Sequence, residues 1–135
     1  MGVSTIHTEI RTKFITVWTD QTTIAFPNSE FNPPNLDTGE WCRLTIVDGE
    51  QRQLNIGAAT NTFRDTGQII VQVFTPLNTG ETRGLVLGDT IADAFRNYSG
   101  TQLRCREAKV KGIGITDDGW NQTNVIISFL WDNLY

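Results

Sequence analysis

The sequence predicts an α+β fold: two helices packed on one face of a mostly antiparallel mixed β-sheet, with a long hairpin arm. Three observations carry this. The run Ile69-Ile70-Val71-Gln72-Val73-Phe74 is β-branched, too short for a helix and ended by Pro76, the signature of a largely buried central strand. Downstream, Leu87, Ile91, Phe95 and Tyr98 recur at helical spacing, beside a smooth stripe of Gly84, Gly88 and Ala92 that lets another backbone come close. The order helix, strands, helix, strands over 135 residues, with no repeat or linker, fits one two-layer domain spanning 1–135.

The elements follow in order. Val3 to Trp18 is the first helix, with Ile6, Ile10, Phe14, Val17 and Trp18 on one face and Ser4 placed to cap its start. A short extended piece, Thr22 to Phe26, stops at Pro27. Asn28 to Gly39, with Pro33 and Pro34, is a long loop whose apolar residues Phe31 and Leu36 either reach a partner or fold back over the domain's own core. Trp41 to Asp48 alternates, Cys42, Leu44 and Ile46 against Trp41, Arg43, Thr45 and Val47. Gly49 to Thr66 reads as the outer part of the hairpin, an arm of low intrinsic order, because Glu50 to Asn61 is polar and rich in Gly and Ala; Asn61 to Thr66 is placed to extend the central strand, with a mobile tip at Gly57-Ala58-Ala59. Asn78 and Glu81 suggest a capping box for the second helix. Gln102 to Val110, continued by Lys111 to Ile115, is a strand near a sheet edge. Asp117-Asp118-Gly119 turns the chain into the last strand, Trp120 to Trp131. Parity puts Ile70, Phe74, Ile126, Leu130 and Trp41 on the face away from the helices, a surface to be covered by a loop or by another subunit.

Composition narrows the function classes. A net charge of −4 and a pI near 4.8 argue against a free-standing DNA binder. The longest apolar run, Val125 to Trp131, is far short of a membrane span of about 20 residues, and the start shows no secretion signal, so a soluble protein made in a cytoplasm is expected. Cys42 and Cys105 read as reduced, inert fillers of strands. The sole histidine, His7, has no nucleophile to serve and reads as solvated or capping. Gly112-Ile113-Gly114 begins like a dinucleotide fingerprint, but Asp117 stands where a third glycine belongs and no helix follows. Asp117 and Asp118 form a turn and not a metal site. Neither an enzyme nor a cofactor is expected. The basic residues Arg104, Arg106, Lys109 and Lys111 alternate along the edge strand, where they discourage stray pairing or face acidic residues of an adjacent copy, among them Asp37, Glu40, Asp48 and Glu50.

Several segments in succession resemble a family of small bacteriophage proteins described as tail terminator-like. They are Ile24-Ala25-Phe26-Pro27-Asn28 with Phe31 and Pro33-Pro34; Trp41-x-Arg43-Leu44-Thr45; Val71-Gln72-Val73-Phe74-x-Pro76-Leu77-x-Thr79-Gly80; Ile91-Ala92-Asp93-Ala94-Phe95; and Gly119-Trp120-x-Gln122-x-Asn124-Val125. The resemblance covers most of the chain, and its specificity lies in the order of motifs that are individually modest. It implies a virion protein, assembled in the host cytoplasm, whose hexameric ring caps the head-proximal end of a long non-contractile tail tube. Its partners would be other copies of itself, the tube protein and a head-closure or connector protein. DNA would pass through the lumen without specific binding, and no membrane is involved. The expected interface residues are Phe31 and Leu36 in the loop, Arg52, Leu54, Ile56 and Arg64 in the arm, and Arg104, Arg106, Lys109 and Lys111 on the edge strand. Two other readings compete: another neck or tail subunit (a head-tail joining or tube protein), and a small ligand-binding α+β domain.

Overall fold

In a computed structural model the chain forms α1 (Val3–Val17), β1 (Thr23–Ala25), β2 (Trp41–Gln53), β3 (Thr62–Pro76), α2 (Thr82–Phe95), β4 (Arg104–Ile115) and β5 (Trp120–Leu134). The structure describes residues 2–18, 22–31, 39–57, 59–77 and 81–134, the side chain of residue 134 excepted. The strands make one open sheet in the order β1-β2-β3-β5-β4. β1 runs parallel to β2 and the other neighbours are antiparallel, so the expected α+β fold with a mixed sheet is what forms.

Both helices lie on one face. Ile6, Ile10 and Phe14 recur every four residues, so α1 buries one stripe, and Trp18 at its end is buried with them. The Phe14 ring stacks 5.8 Å from Trp18 and 6.4 Å from Phe95, which ties α1 to α2. Beneath them the sheet contributes Cys42, Leu44, Ile69, Val71, Val73, Val125, Ile127, Phe129 and Trp131. The small-residue stripe of α2 behaves as its spacing suggests. A Cβ at Gly84 would sit 2.6 Å from Thr123 Oγ1, and one at Gly88 would sit 2.9 Å from Val110 Cγ1. The α2 backbone therefore rests directly on β4 and β5, a closeness that offsets the roughly 1 kcal/mol a mid-helix glycine costs.

Three local expectations are corrected. Gly2, not Ser4, precedes α1: its carbonyl accepts from the Thr5 and Ile6 amides, while Ser4 lies inside the helix and its carbonyl accepts from the Thr8 hydroxyl. Glu81, expected inside the first turn of α2, occupies its cap position and its side chain makes no capping bond; Asn78, its expected partner, lies outside the described residues. The arm differs on its β2 side, while on the other side the expected extension of the central strand forms. It is paired strand out to Gln53 on one side and from Thr62 on the other. Its order comes from β5, which pairs with β3 along its whole length, from Thr62↔Leu134 to Pro76↔Trp120. A polar segment needs no core of its own when a third strand satisfies its backbone.

A bulge between Asp48 and Gln51 marks where the arm leaves the body of the sheet. Gly67 lies opposite, and a Cβ there would be 2.6 Å from both the Val47 carbonyl oxygen and Phe129 Cζ. In urea unfolding Gly67→Ala is expected to cost about 1–3 kcal/mol, because a backbone carbonyl cannot move aside. Gly112→Ala, which meets nothing within 4 Å, should stay within about 0.5 kcal/mol of wild type.

Candidate interaction surfaces

The sheet face opposite the helices is treated differently at its two ends. At one end the register aligns Trp41 with Phe74, their rings stacked at 4.2 Å, and Trp120 stands edge-on to Trp41 at 6.1 Å. Phe31 closes this aromatic cluster, 4.9 Å from Trp41. The chain's own loop thus covers this end, and Phe31 folds back instead of projecting. Leu36, its companion in the sequence reading, lies outside the described residues. The Arg43 guanidinium spreads over Trp41 and Phe74 at 5.3 and 5.7 Å, a placement that only the strand register reveals. Towards the middle of the face Ile70 and Ile126 are half-buried and Val47 is exposed.

The arm continues the sheet beyond the helices. Leu54 N–H donates to the Thr62 carbonyl at 2.8 Å, and Thr62 N–H donates to Asn55 Oδ1 at 2.7 Å, which closes its neck. Past that point Leu54 is 44% exposed and Ile56 90% exposed. Arg52 and Arg64 are register partners on the face away from the helices, where Arg64 donates to both carboxylate oxygens of Asp132 at 2.8 and 3.0 Å. Those hydrogen bonds hold the Asp132 carboxyl below its usual value of 3.8; slight burial opposes them, and attraction to Arg64 and Arg104 adds to them.

β4 is the last strand of the sheet, paired with β5; the α2–β4 connection covers the start of its outer edge, where Ser99 bridges Arg104, Cys105 N–H donates to the Tyr98 carbonyl and Asn97 N–H donates to the Arg106 carbonyl. Its basic residues do not simply point outward. Arg104 aligns with Leu130, Lys109 with Ile126 and Lys111 with Asn124, so all three stand on the face without helices. The bulge between Cys105 and Ala108 sets this register, and Arg106 within it borders an open hollow of about 460 Å³ shared with Val47, Gln68 and Ser128. Of the acidic residues expected to receive them, Glu40 is held by Arg83 at 2.7 Å and Asp48 accepts from His7 at 3.0 Å. Asp37 lies outside the described residues. His7 is therefore a tie between α1 and β2.

Neither cysteine is activated as a nucleophile. Burial pushes both thiols up to about 12; the Thr22 hydroxyl, which donates to Cys42 Sγ at 3.6 Å, opposes this only in part. Asp132 is at the end of β5 remote from the Asp117-Asp118 turn, and among the described residues no group of three or more His, Cys, Asp or Glu could hold a metal ion.

A family model described as "Phage tail terminator protein" matches residues 5–129. No curated protein matches the chain. Eleven chains of solved structure do. One of them is 19% identical, over 91% of this chain and 92% of its own, with a TM-score of 0.56, a likeness that shows the fold alone.

Two outcomes follow from these surfaces. Phe31→Asp places a carboxylate against Trp41 and should cost about 1–3 kcal/mol, with a red shift of tryptophan fluorescence. A lowered folded-state pKa means the Asp132 pair contributes in full above the unfolded value and is lost as pH falls through the folded one. In thermal melts the advantage of wild type over Asp132→Asn should therefore vanish as pH drops from about 5 towards 2.

Proposed function

Because this chain belongs to the phage tail terminator family and is a structural protein of the tail, we propose that its copies close into a hexameric ring capping the head-proximal end of the tail tube. The ring ends tube polymerisation and joins the tube to the head connector. DNA passes through its lumen with no sequence read.

The observation that carries this reading is the arm. An isoleucine 90% exposed at the tip of an ordered, three-stranded projection is costly to leave in water, and it stands clear of the subunit's own core. A ring needs heterologous contacts, one patch on each subunit meeting a different patch on the next. The subunit has unlike sides to offer: a three-residue parallel edge strand, β1, and the part of the β4 edge beyond Ala108, past the α2–β4 connection. Leu54 and Ile56 at the end of the arm supply an apolar anchor for such a contact.

Light scattering over a concentration series, followed by negative-stain images, should give a species that stops at a ring. Long cylinders formed by the protein alone would identify a tube subunit. A monomer at high concentration, with tails of normal length in its absence, would contradict the proposal. Ile56→Asp should leave the subunit folded and weaken capping by about tenfold or more, as loss of an apolar hot spot does.

A further inference from the structure

The uncovered sheet face carries a charge opposite to that of the whole chain. The register places Arg43 and Lys111 at the two ends of one row, with Gln72 and Asn124 between them. The next row ends in Lys109, another in Arg104, and the arm adds Arg52 and Arg64. Arg106 borders the central hollow. Against these seven cations stand three acids: Asp132, already engaged by Arg64, Glu107 lining the hollow beside Arg106, and Glu50 lining a second hollow with Arg52 and Arg64, so four positive charges remain in excess. Among the described residues the side chains of Arg52, Arg106, Lys109 and Lys111 have no ionic or hydrogen-bonding partner. In a chain of net charge −4 this is a marked segregation.

We propose that this face is a sequence-independent docking surface for the phosphate backbone of double-stranded DNA. Strand geometry sets the scale: at about 3.4 Å per residue the stripe from Lys111 to Arg104 spans roughly 20 Å, the rise of about six base pairs. Between the cations the floor presents amides and hydroxyls, Gln68, Gln72, Asn124 and Ser128, groups that hydrogen-bond phosphate and sugar without reading a base edge. Unpaired bases would need exposed rings to stack on, but Trp41 and Phe74 are buried beneath Phe31 and Arg43. Among the described residues, several of the acids that a second copy could offer are already taken up. Glu40, Asp48 and Asp93 are engaged by Arg83, His7 and Arg96, while Glu81 and Asp89 lie along α2 and Asp117 and Asp118 in the β4–β5 turn.

The inference rests on the ring reading only in saying what the passing duplex meets; binding is a property of the subunit and is measured apart from assembly. The test is fluorescence anisotropy with a labelled duplex of mixed sequence and about 20 base pairs, titrated at several salt concentrations. The logarithm of affinity should fall linearly with that of salt, with a slope of about −3 to −4 per subunit for four uncompensated cations. Lys109→Glu combined with Lys111→Glu should weaken binding by about tenfold or more and flatten the slope by about 2, while Arg11→Gln on α1 leaves both unchanged. Absence of binding at low salt, indifference to the double reversal, or preference for a single strand overturns the proposal. So does preference for polyglutamate, which would make an acidic protein the occupant. Light scattering on the same samples reports assembly: a ring that ignores DNA overturns this inference alone, and a subunit that binds DNA without forming a ring overturns only the earlier reading.

Discussion

The structure depends on the pairing of β3 with β5. Fifteen consecutive residues of each strand are in register without a bulge, and the pair lies at the centre of the sheet. Its alternate side chains, Ile69, Val71, Val73, Val125 and Ile127, form the floor on which both helices rest. The same pairing continues past the helices and gives the arm a backbone partner on each side of β3. One ladder of hydrogen bonds thus makes both the core and the projection. The outer part carries few apolar side chains, yet it is ordered because the inner part is buried.

Fixing the ladder also divides the molecule into a finished side and an unfinished one. The two helices occupy one face, so every even-numbered residue of β3 and β5 within the paired region looks away from them. At the aromatic end the chain completes itself with Phe31. Elsewhere the face keeps Ile70 and Ile126 half-buried among amides, hydroxyls and cations. Such a mixture is poor core and suitable contact surface, which is what a structural protein of a phage tail requires of one of its faces.

Much of this was legible in the sequence wherever periodicity is local. The faces of Trp41 to Val47, Ile69 to Phe74 and Val125 to Trp131 follow from simple alternation, and the Gly84, Gly88, Ala92 stripe announced the close approach of α2. What was hidden depends on distant partners. Glu50 to Asn61 looks disordered because the strand that orders the arm's flanks lies about 70 residues further on. The side taken by Lys109 and Lys111 depends on the bulge after Cys105, which moves the inward positions to Ala108 and Val110 and cannot be counted from alternation. Net charge misled in a related way: a chain-wide sum of −4 says nothing of where the signs are placed, and the fold gathers cations on one face. For Phe31 the sequence left both a partner and the chain's own core open, and the aromatic platform beneath it exists only once β2 and β3 are paired.

The central claim is that the arm is built by the core ladder in the free subunit and becomes buried only in the assembly. Hydrogen exchange followed peptide by peptide, in the isolated subunit and in intact tails, tests it most directly. The account predicts that peptides covering 62–76 and 120–134 are already protected in the free subunit, and that protection at 54–61 rises sharply on assembly while the α1 and α2 peptides do not change. Equal exchange at 54–61 in the two states would contradict it.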